Sequence, residues 1–193
     1  MGQLLCDCCP RGETAPEATV DEARFDAKAK SATVVLSADG RTASGVGVAI
    51  ASCALHQDQC YFELRLNKLA EGGAAFCVGV AQRSPEVTAQ AMLGDRERSW
   101  CFSSAQSTEP WAEGDVVGCL FDQSTGRPQM ALFRNGQALP PGTEVKGFRG
   151  VVHPAVSFQQ GCEMECNFAI EPEGFKHKPP PGVTGLIPSR SLV

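Results

Sequence analysis

The chain has 193 residues, a formal net charge of −5 and 42% apolar residues, enough for one domain with a buried core and short tails. That acidic balance excludes an ordinary nucleic-acid binder, which shows a basic patch, and no run approaches the roughly 18 apolar residues of a membrane-spanning helix. Ten cysteines would suit a secreted disulfide framework. Most of them sit inside apolar runs, Cys77 in Ala-Ala-Phe-Cys-Val-Gly-Val and Cys119 in Val-Val-Gly-Cys-Leu-Phe, and read as small hydrophobes of a reduced, cytosol-facing protein.

The N-terminus, Met-Gly-Gln-Leu-Leu-Cys-Asp-Cys-Cys, carries a lipidation pattern. Gly2 is a myristoylation acceptor once Met1 is removed, although Cys6 stands where Ser or Thr is usual; Cys6, Cys8 and Cys9 are S-palmitoylation acceptors. One myristoyl chain binds a bilayer at only about 10⁴ M⁻¹, so a stable anchor needs a second signal. It is not polybasic here: through Phe25, Arg11 and Arg24 are outweighed by Asp7, Glu13, Glu17, Asp21 and Glu22, which anionic lipid repels. The second signal therefore falls to acyl chains on the cysteines. An incidental cysteine cluster on a disordered terminus, or a Cys-x-Cys-Cys metal clip, are the alternatives. Secretion is excluded by the absence of a basic n-region and the shortness of Leu4-Leu5.

Residues 1–24 read as a flexible leader, rich in Ala, Glu, Thr and Pro. Short predicted strands then follow one another to about residue 170. Thr33–Ser37 and Ser44–Ile50 flank Asp39-Gly40, a hairpin signal. Cys60–Leu66 alternates, with Phe62, Leu64 and Leu66 predicted inward and Tyr61, Glu63 and Arg65 outward. Ala75–Ala81 is apolar on both faces, as in a central strand. Ser84-Pro85-Glu86 caps one short helix. Strands are predicted at Ser99–Ser103, at Asp115–Asp122, and at Gln129–Arg134, which turns at Asn135-Gly136 into Gln137–Leu139. His153–Phe158 and Glu163–Phe168 complete the series, with Met164, Cys166 and Phe168 on one face. After Ile170 the prolines Pro172, Pro179, Pro180, Pro181 and Pro188 mark an extended tail that lies along the surface. Nine or ten short strands separated by turns point to an all-β fold, an antiparallel two-sheet β-sandwich over 25–171, with the tail at 172–193.

Tyr61-Phe62-Glu63, Val78-Gly79-Val80-Ala81, Leu93-Gly94, Gly114-Asp115-Val116-Val117-Gly118, Phe133-Arg134-Asn135-Gly136, Pro154-Ala155-Val156-Ser157 and Asn167-Phe168 occur in that order. The series resembles the SPRY domain over roughly residues 30–170. The resemblance implies a concanavalin-like jelly roll without catalytic machinery, which binds a protein or peptide through variable loops at one edge of the sandwich. It leaves no room for a full PRY segment ahead of the core.

Chemistry-bearing residues are few. The three histidines, His56, His153 and His177, accompany no Gly-x-Ser-x-Gly elbow. Glu163 and Glu165 share a strand face as a glycosidase pair would, yet outward glutamates are ordinary. Cys53, His56 and Cys60 offer three zinc ligands without a fourth, so His56 reads instead as a loop pin, and no cofactor or metal is expected. Trp100 reads as core; Trp111 either caps the core or offers an aromatic hot spot. The loops from Arg83 to Arg98 and from Gln123 to Arg127 are the expected partner-facing surfaces, with Arg96, Arg98, Trp111 and Arg127 as candidate contacts. The resulting expectation is a non-enzymatic interaction module at a cytosol-facing membrane, with no nucleic-acid or small-molecule ligand. The alternative is a structural subunit of a larger cytoskeletal or ciliary assembly, its N-terminus docked on protein.

Overall fold

The structure, a computed structural model, describes residues 23–70, 75–95 and 97–187. Among them the chain forms thirteen strands: β1 (Phe25–Lys30), β2 (Val34–Leu36), β3 (Thr42–Gly45), β4 (Gly47–Ala51), β5 (Gln59–Lys68), β6 (Phe76–Ala81), β7 (Ser99–Ser103), β8 (Val116–Asp122), β9 (Gln129–Arg134), β10 (Gln137–Ala138), β11 (Val145–Lys146), β12 (His153–Phe158) and β13 (Glu163–Asn167). The smaller sheet runs β1-β4-β12-β6-β7 and the larger β10-β9-β8-β5-β13-β3-β2, with β11 pairing β9 beside β10. Every pairing is antiparallel.

The expected all-β sandwich is what forms, and period-2 alternation explains its core. Phe62, Leu64 and Leu66 of β5 face Val78, Val156 and Phe158 of the smaller sheet, each fully buried. Two local expectations change. The predicted strand 44–50 is cut in two: Gly45 and Gly47, at φ 107° and 113°, carry the chain from β3 in the larger sheet to β4 in the smaller. A methyl group at either glycine would run into Thr33 or Ser31, so only glycine fits this crossover. The strand β1 lies outside the predicted series; Phe25 and Ala29 are buried, but a register shift between Phe25 and Lys30 breaks its alternation.

The ordered helix α1 (Pro85–Thr88) has Ser84 as its N-cap and Pro85 in its first turn, as the sequence predicts. Its Val87, with Leu93 of the following loop, covers Val48, Ile50 and Ala155 on the outer face of the smaller sheet.

On the outer face of the larger sheet Tyr61 and Glu63 are 1% and 2% exposed, although their strand pattern predicts that they face water. The chain's own C-terminal segment covers them. Phe175 meets Tyr61 edge-on with ring centroids 5.0 Å apart, and Val183 joins the cluster. The Glu63 carboxylate accepts hydrogen bonds from the backbone N–H groups of Lys176 and His177, both at 2.8 Å. Tyr61 N–H donates to the Thr184 carbonyl, and Leu186 is fully buried in the main core. His177 packs half-buried over Gly136. Gly118 makes this arrangement possible, because a Cβ there would collide with the Tyr61 hydroxyl lying across β8.

Two charge-assisted bonds hold the strap at Glu63. Glu63→Gln keeps the size of the side chain but turns an amide donor toward a backbone donor. It is expected to lower unfolding free energy by about 2 kcal/mol in chemical denaturation. Amide exchange at Lys176 and His177 should accelerate while Met164 in the core stays protected; unchanged exchange at both would show that Glu63 does not hold the strap.

Candidate partner-binding surface

Strand register sorts the connecting loops to the two ends of the sandwich. At one end Ala81 pairs with both Ser99 and His153, and Asp122 pairs with Gln59 and Gln129. The loops over residues 82–98, 123–128 and 147–152 emerge there. Arg98, at φ 74°, gives its carbonyl to Gln82 N–H at 2.9 Å and places a guanidinium nitrogen 3.5 Å from Glu86. Both of those side chains are mostly exposed, so the pair contributes little to stability. Arg127 is exposed in the β8–β9 turn. Arg83 forms an ion pair with Asp26 that ties this loop to β1.

This end of the sandwich is pinned by glutamines and by His153. Gln123 donates to the carbonyls of His56 (3.4 Å) and Gln57 (2.9 Å), and the Gln57 amide exchanges bonds with Gly185 and Ile187. The His56 ring itself is exposed, so Gln123 holds the loop that His56 was expected to pin. His153 is buried with Nδ1 3.1 Å from the Ala51 carbonyl, and burial lowers its pKa.

At the opposite end the chain builds a cap around Asp115. Arg134 donates to Asp115 Oδ2 from Nε at 3.0 Å and Nη2 at 2.6 Å; Ala112 N–H reaches the same oxygen at 2.9 Å, and Asn135 donates to Oδ1 at 2.8 Å. Asn135 sits at φ 51° in the tight turn predicted from Asn-Gly, and its Oδ1 accepts from Val116 N–H at 2.9 Å. The Arg134 guanidinium lies 4.6 Å from the Trp111 ring centre, and Trp111 meets Phe76 edge-on at 5.4 Å. Trp111 is thus placed as a half-buried lid on the core. Burial pushes the Asp115 carboxyl up, but the hydrogen bonds from Asn135, Ala112 and Arg134 outweigh it and hold the group below its usual range.

Depressions flank the cap. One, of about 510 Å³, lies between Ser107–Glu109 and the β9–β10 turn; an apolar one of about 210 Å³ is lined by Leu69, Phe76, Pro110 and Trp111. A third, of about 470 Å³, runs beside β13 between Arg41 and Ile170. Among the described residues no three His, Cys, Asp or Glu side chains converge as metal ligands; Cys53 and Cys60 are buried while His56 is not.

Of the predicted contacts, Arg98 and Arg127 stand at one end, on different sheets, and Trp111 at the other. Arg96, and the acylation candidates Gly2, Cys6, Cys8 and Cys9, lie outside the described residues. Sequence reasoning missed the clamp by Glu63, whose signal is a distant backbone, and the Arg134–Asp115 pair, which sits in plain view as two residues flanking the ends of one hairpin.

Residues 59–171 match the SPRY domain. The chain belongs to the SPRY domain family. Human SPRY domain-containing protein 7 is 27% identical over 201 residues, covering 95% of this chain and 95% of the relative, and its Gallus gallus counterpart is 24% identical over 176 residues, covering 85% and 83%. Among solved structures, the SPRY domain of human HERC1 superposes with a TM-score of 0.55 at 16% identity, covering 74% of this chain and 96% of that one. The NHR domain of Neuralized from Drosophila melanogaster gives 0.56 at 13% identity, covering 82% and 95%. These last two are likenesses of fold. SPRY domains are in general protein–protein interaction modules, and the SPRY scaffold here presents two ends built from loops.

Because the Asp115 pKa is lower folded than unfolded, its contribution to stability is present above the unfolded value near 3.9 and lost as pH falls through the folded one. Asp115→Asn is expected to cost about 2–3 kcal/mol at pH 7, since it removes the carboxylate that holds Arg134, leaving it the Pro110 carbonyl and the exposed Glu109. Below about pH 4 the gap between wild type and variant should narrow. Denaturation midpoints measured from pH 7 down to pH 2.5 check this, and a gap that stays constant refutes it.

Proposed function

We propose that this protein is a non-enzymatic SPRY interaction module that binds a protein or peptide through loops at the ends of its sandwich and is held at a cytosol-facing membrane by N-terminal acylation. The observation that carries the binding half is that the chain itself covers the apolar part of both outer faces. Helix α1 and Leu93 cover the smaller sheet, and Phe175, Val183 and the Glu63-bound strap cover the larger. A partner therefore meets loops, and the segment from Gln82 to Arg98 together with the turn at Arg127 offers exposed arginines suited to carbonyl or acidic groups. The anchor half rests on Gly2 with Cys6, Cys8 and Cys9 and on the inadequacy of one myristoyl chain alone.

Arg98→Glu combined with Arg127→Glu reverses the charge of that loop end, and as a surface change it should alter stability by no more than about 0.5 kcal/mol. Quantitative capture from a cell extract by the full chain is expected to lose at least one partner that the wild type retains. An identical captured set would remove these loops from the binding surface.

In membrane flotation, Gly2→Ala is expected to shift the protein to the soluble fraction, and Cys6→Ser, Cys8→Ser and Cys9→Ser together to weaken its attachment. Insensitivity to both would sink the anchor and favour the alternative, an assembly subunit whose N-terminus docks on protein.

A further inference from the structure

The outer face of the smaller sheet carries a thiol pair beneath the loop that follows α1. Cys77 of β6 pairs in register with Ser103 of β7 on one side and with Ser157 of β12 on the other. Cys101 pairs with Gly79, which puts it on the same face as Cys77 and diagonal to it across two adjacent antiparallel strands. The missing side chain of Gly79 leaves Cys101 room to lean over the strand; a Cβ at Gly79 would strike Cys101.

The surrounding hydrogen bonds converge on the Cys77 sulfur. Ser157 Oγ accepts from Leu93 N–H at 3.0 Å and Ser103 Oγ accepts from Ala105 N–H at 3.4 Å, so each hydroxyl keeps its own hydrogen to donate. Hydrogen bonds from Cys101, and then from Ser157 and Ser103, outweigh burial and bring the Cys77 thiol down to about 7, while the same pairing and burial push Cys101 up. Cys77 is therefore the more readily ionised thiol of the two and Cys101 its neighbour, the arrangement of an attacking and a resolving cysteine. Cys60 and Cys119, on the other hand, lie in the core, and burial pushes both thiols up.

Cys101 also fastens the loop. Its one S–H is shared between the Cys77 sulfur and the Leu93 carbonyl, whose oxygen lies 3.0 Å from the Cys101 sulfur, beside the bonds from Leu93 N–H to Ser157 and from Gly94 N–H to Ser99 at 2.9 Å.

We propose that Cys77 and Cys101 form a reversible, peroxide-sensitive dithiol whose oxidation unlatches the loop from Met92 to Asp95. The Cys77 sulfur attacks one peroxide oxygen and breaks the O–O bond, giving a Cys77 sulfenic acid and a hydroxide that takes up a proton to become water. The Cys101 sulfur then displaces the hydroxyl from Cys77; the S–S bond forms and a second water leaves with the Cys101 proton. Two electrons pass from the two thiols to the peroxide. Diagonal strand neighbours lie about 7–8 Å apart, beyond the usual Cα spacing of a disulfide, so the strands must draw together. That is feasible because β7 is an edge strand with β6 as its one ladder neighbour in the sheet. The same strain makes the bond easily reduced by a small thiol, as suits a switch and not a staple. Once Cys101 has no S–H, the Leu93 carbonyl loses its donor, and the loop that lines the Arg98 end is freed. This inference stands independently of the partner-binding reading.

The test uses the full chain treated with hydrogen peroxide, alkylated and mapped by mass spectrometry, with fragment spectra separating Cys101 from Cys119. The expected product is a Cys77–Cys101 linkage that dithiothreitol reverses. In Cys101→Ser, dimedone should instead trap a Cys77 sulfenic acid, and in the oxidised wild type amide exchange at Leu93 and Gly94 should speed up by roughly tenfold or more. The proposal is overturned if Cys77 and Cys101 still alkylate as separate thiols after peroxide has fully oxidised glutathione in the same solution, or if Cys77 is found linked to a different cysteine. A linkage that leaves exchange at Leu93 and Gly94 unchanged overturns the unlatching.

Discussion

A carboxylate buried on the outside of a sheet, where the strand pattern would leave it in water, sets the terms for the rest of this molecule. Glu63 is tolerated there because Lys176 and His177 turn two backbone N–H groups onto it. An ionised group in that position without partners would be too costly to bury. The bonds also fix the C-terminal segment in one register, which seats Phe175 and Val183 on Tyr61 and delivers Leu186 to the main core. Each large apolar side chain so buried contributes about 1.5–3 kcal/mol. The outer face of the larger sheet is thereby covered around Tyr61, and Glu63 shares the holding of the strap with Tyr61 N–H and the Gln57 amide.

The same logic operates at the Trp111 end. There one oxygen of Asp115 gathers Arg134 and Ala112 while the other takes Asn135. The loop before β8 and the turn after β9 are thereby joined across the sheet, and the guanidinium is spread over the Trp111 ring. Cap and strap are both networks of charge-assisted bonds placed over apolar surface. They tie loops to the scaffold through paired charges, in contrast with the loops around Arg98 and Arg127, whose charged groups are exposed.

Much of the core was legible from the sequence, because alternation along β5 and β13 and the Asn-Gly turn report on forces that act within a few residues. The errors arise where distant chain decides. Tyr61 and Glu63 follow the strand period faithfully and point outward, yet they are buried by residues more than a hundred positions away. The run from Ser44 to Ile50 looks like one strand until the positive φ of Gly45 and Gly47 is known. Cys77 lies in a run apolar on both faces, so its alternation could not tell core from outer face, and only the register against Ser103 and Ser157 separates this buried thiol of the outer face from cysteines between the sheets such as Cys119. Trp111 was equally open to two readings, because a tryptophan before Gly114-Asp115 carries no sign of the Arg134 that comes to lie on it.

The position of β1 bears on how a tethered SPRY domain could reach a partner. Phe25 pairs with Ala51, and Arg24 accepts from Ser52 N–H at 2.7 Å, so the chain enters the sandwich at the end that carries the loops of Arg98 and Arg127. An anchor at Gly2 would pull on the Arg98 end and not on the Trp111 end. Taken alone, that geometry sets bilayer and partner in competition for one surface. Length relieves the conflict: the 22 residues ahead of Ala23 can span up to about 75 Å, more than twice the roughly 30 Å of a small folded domain. With Gly2 acylated, a partner would have room to sit between the sandwich and the membrane.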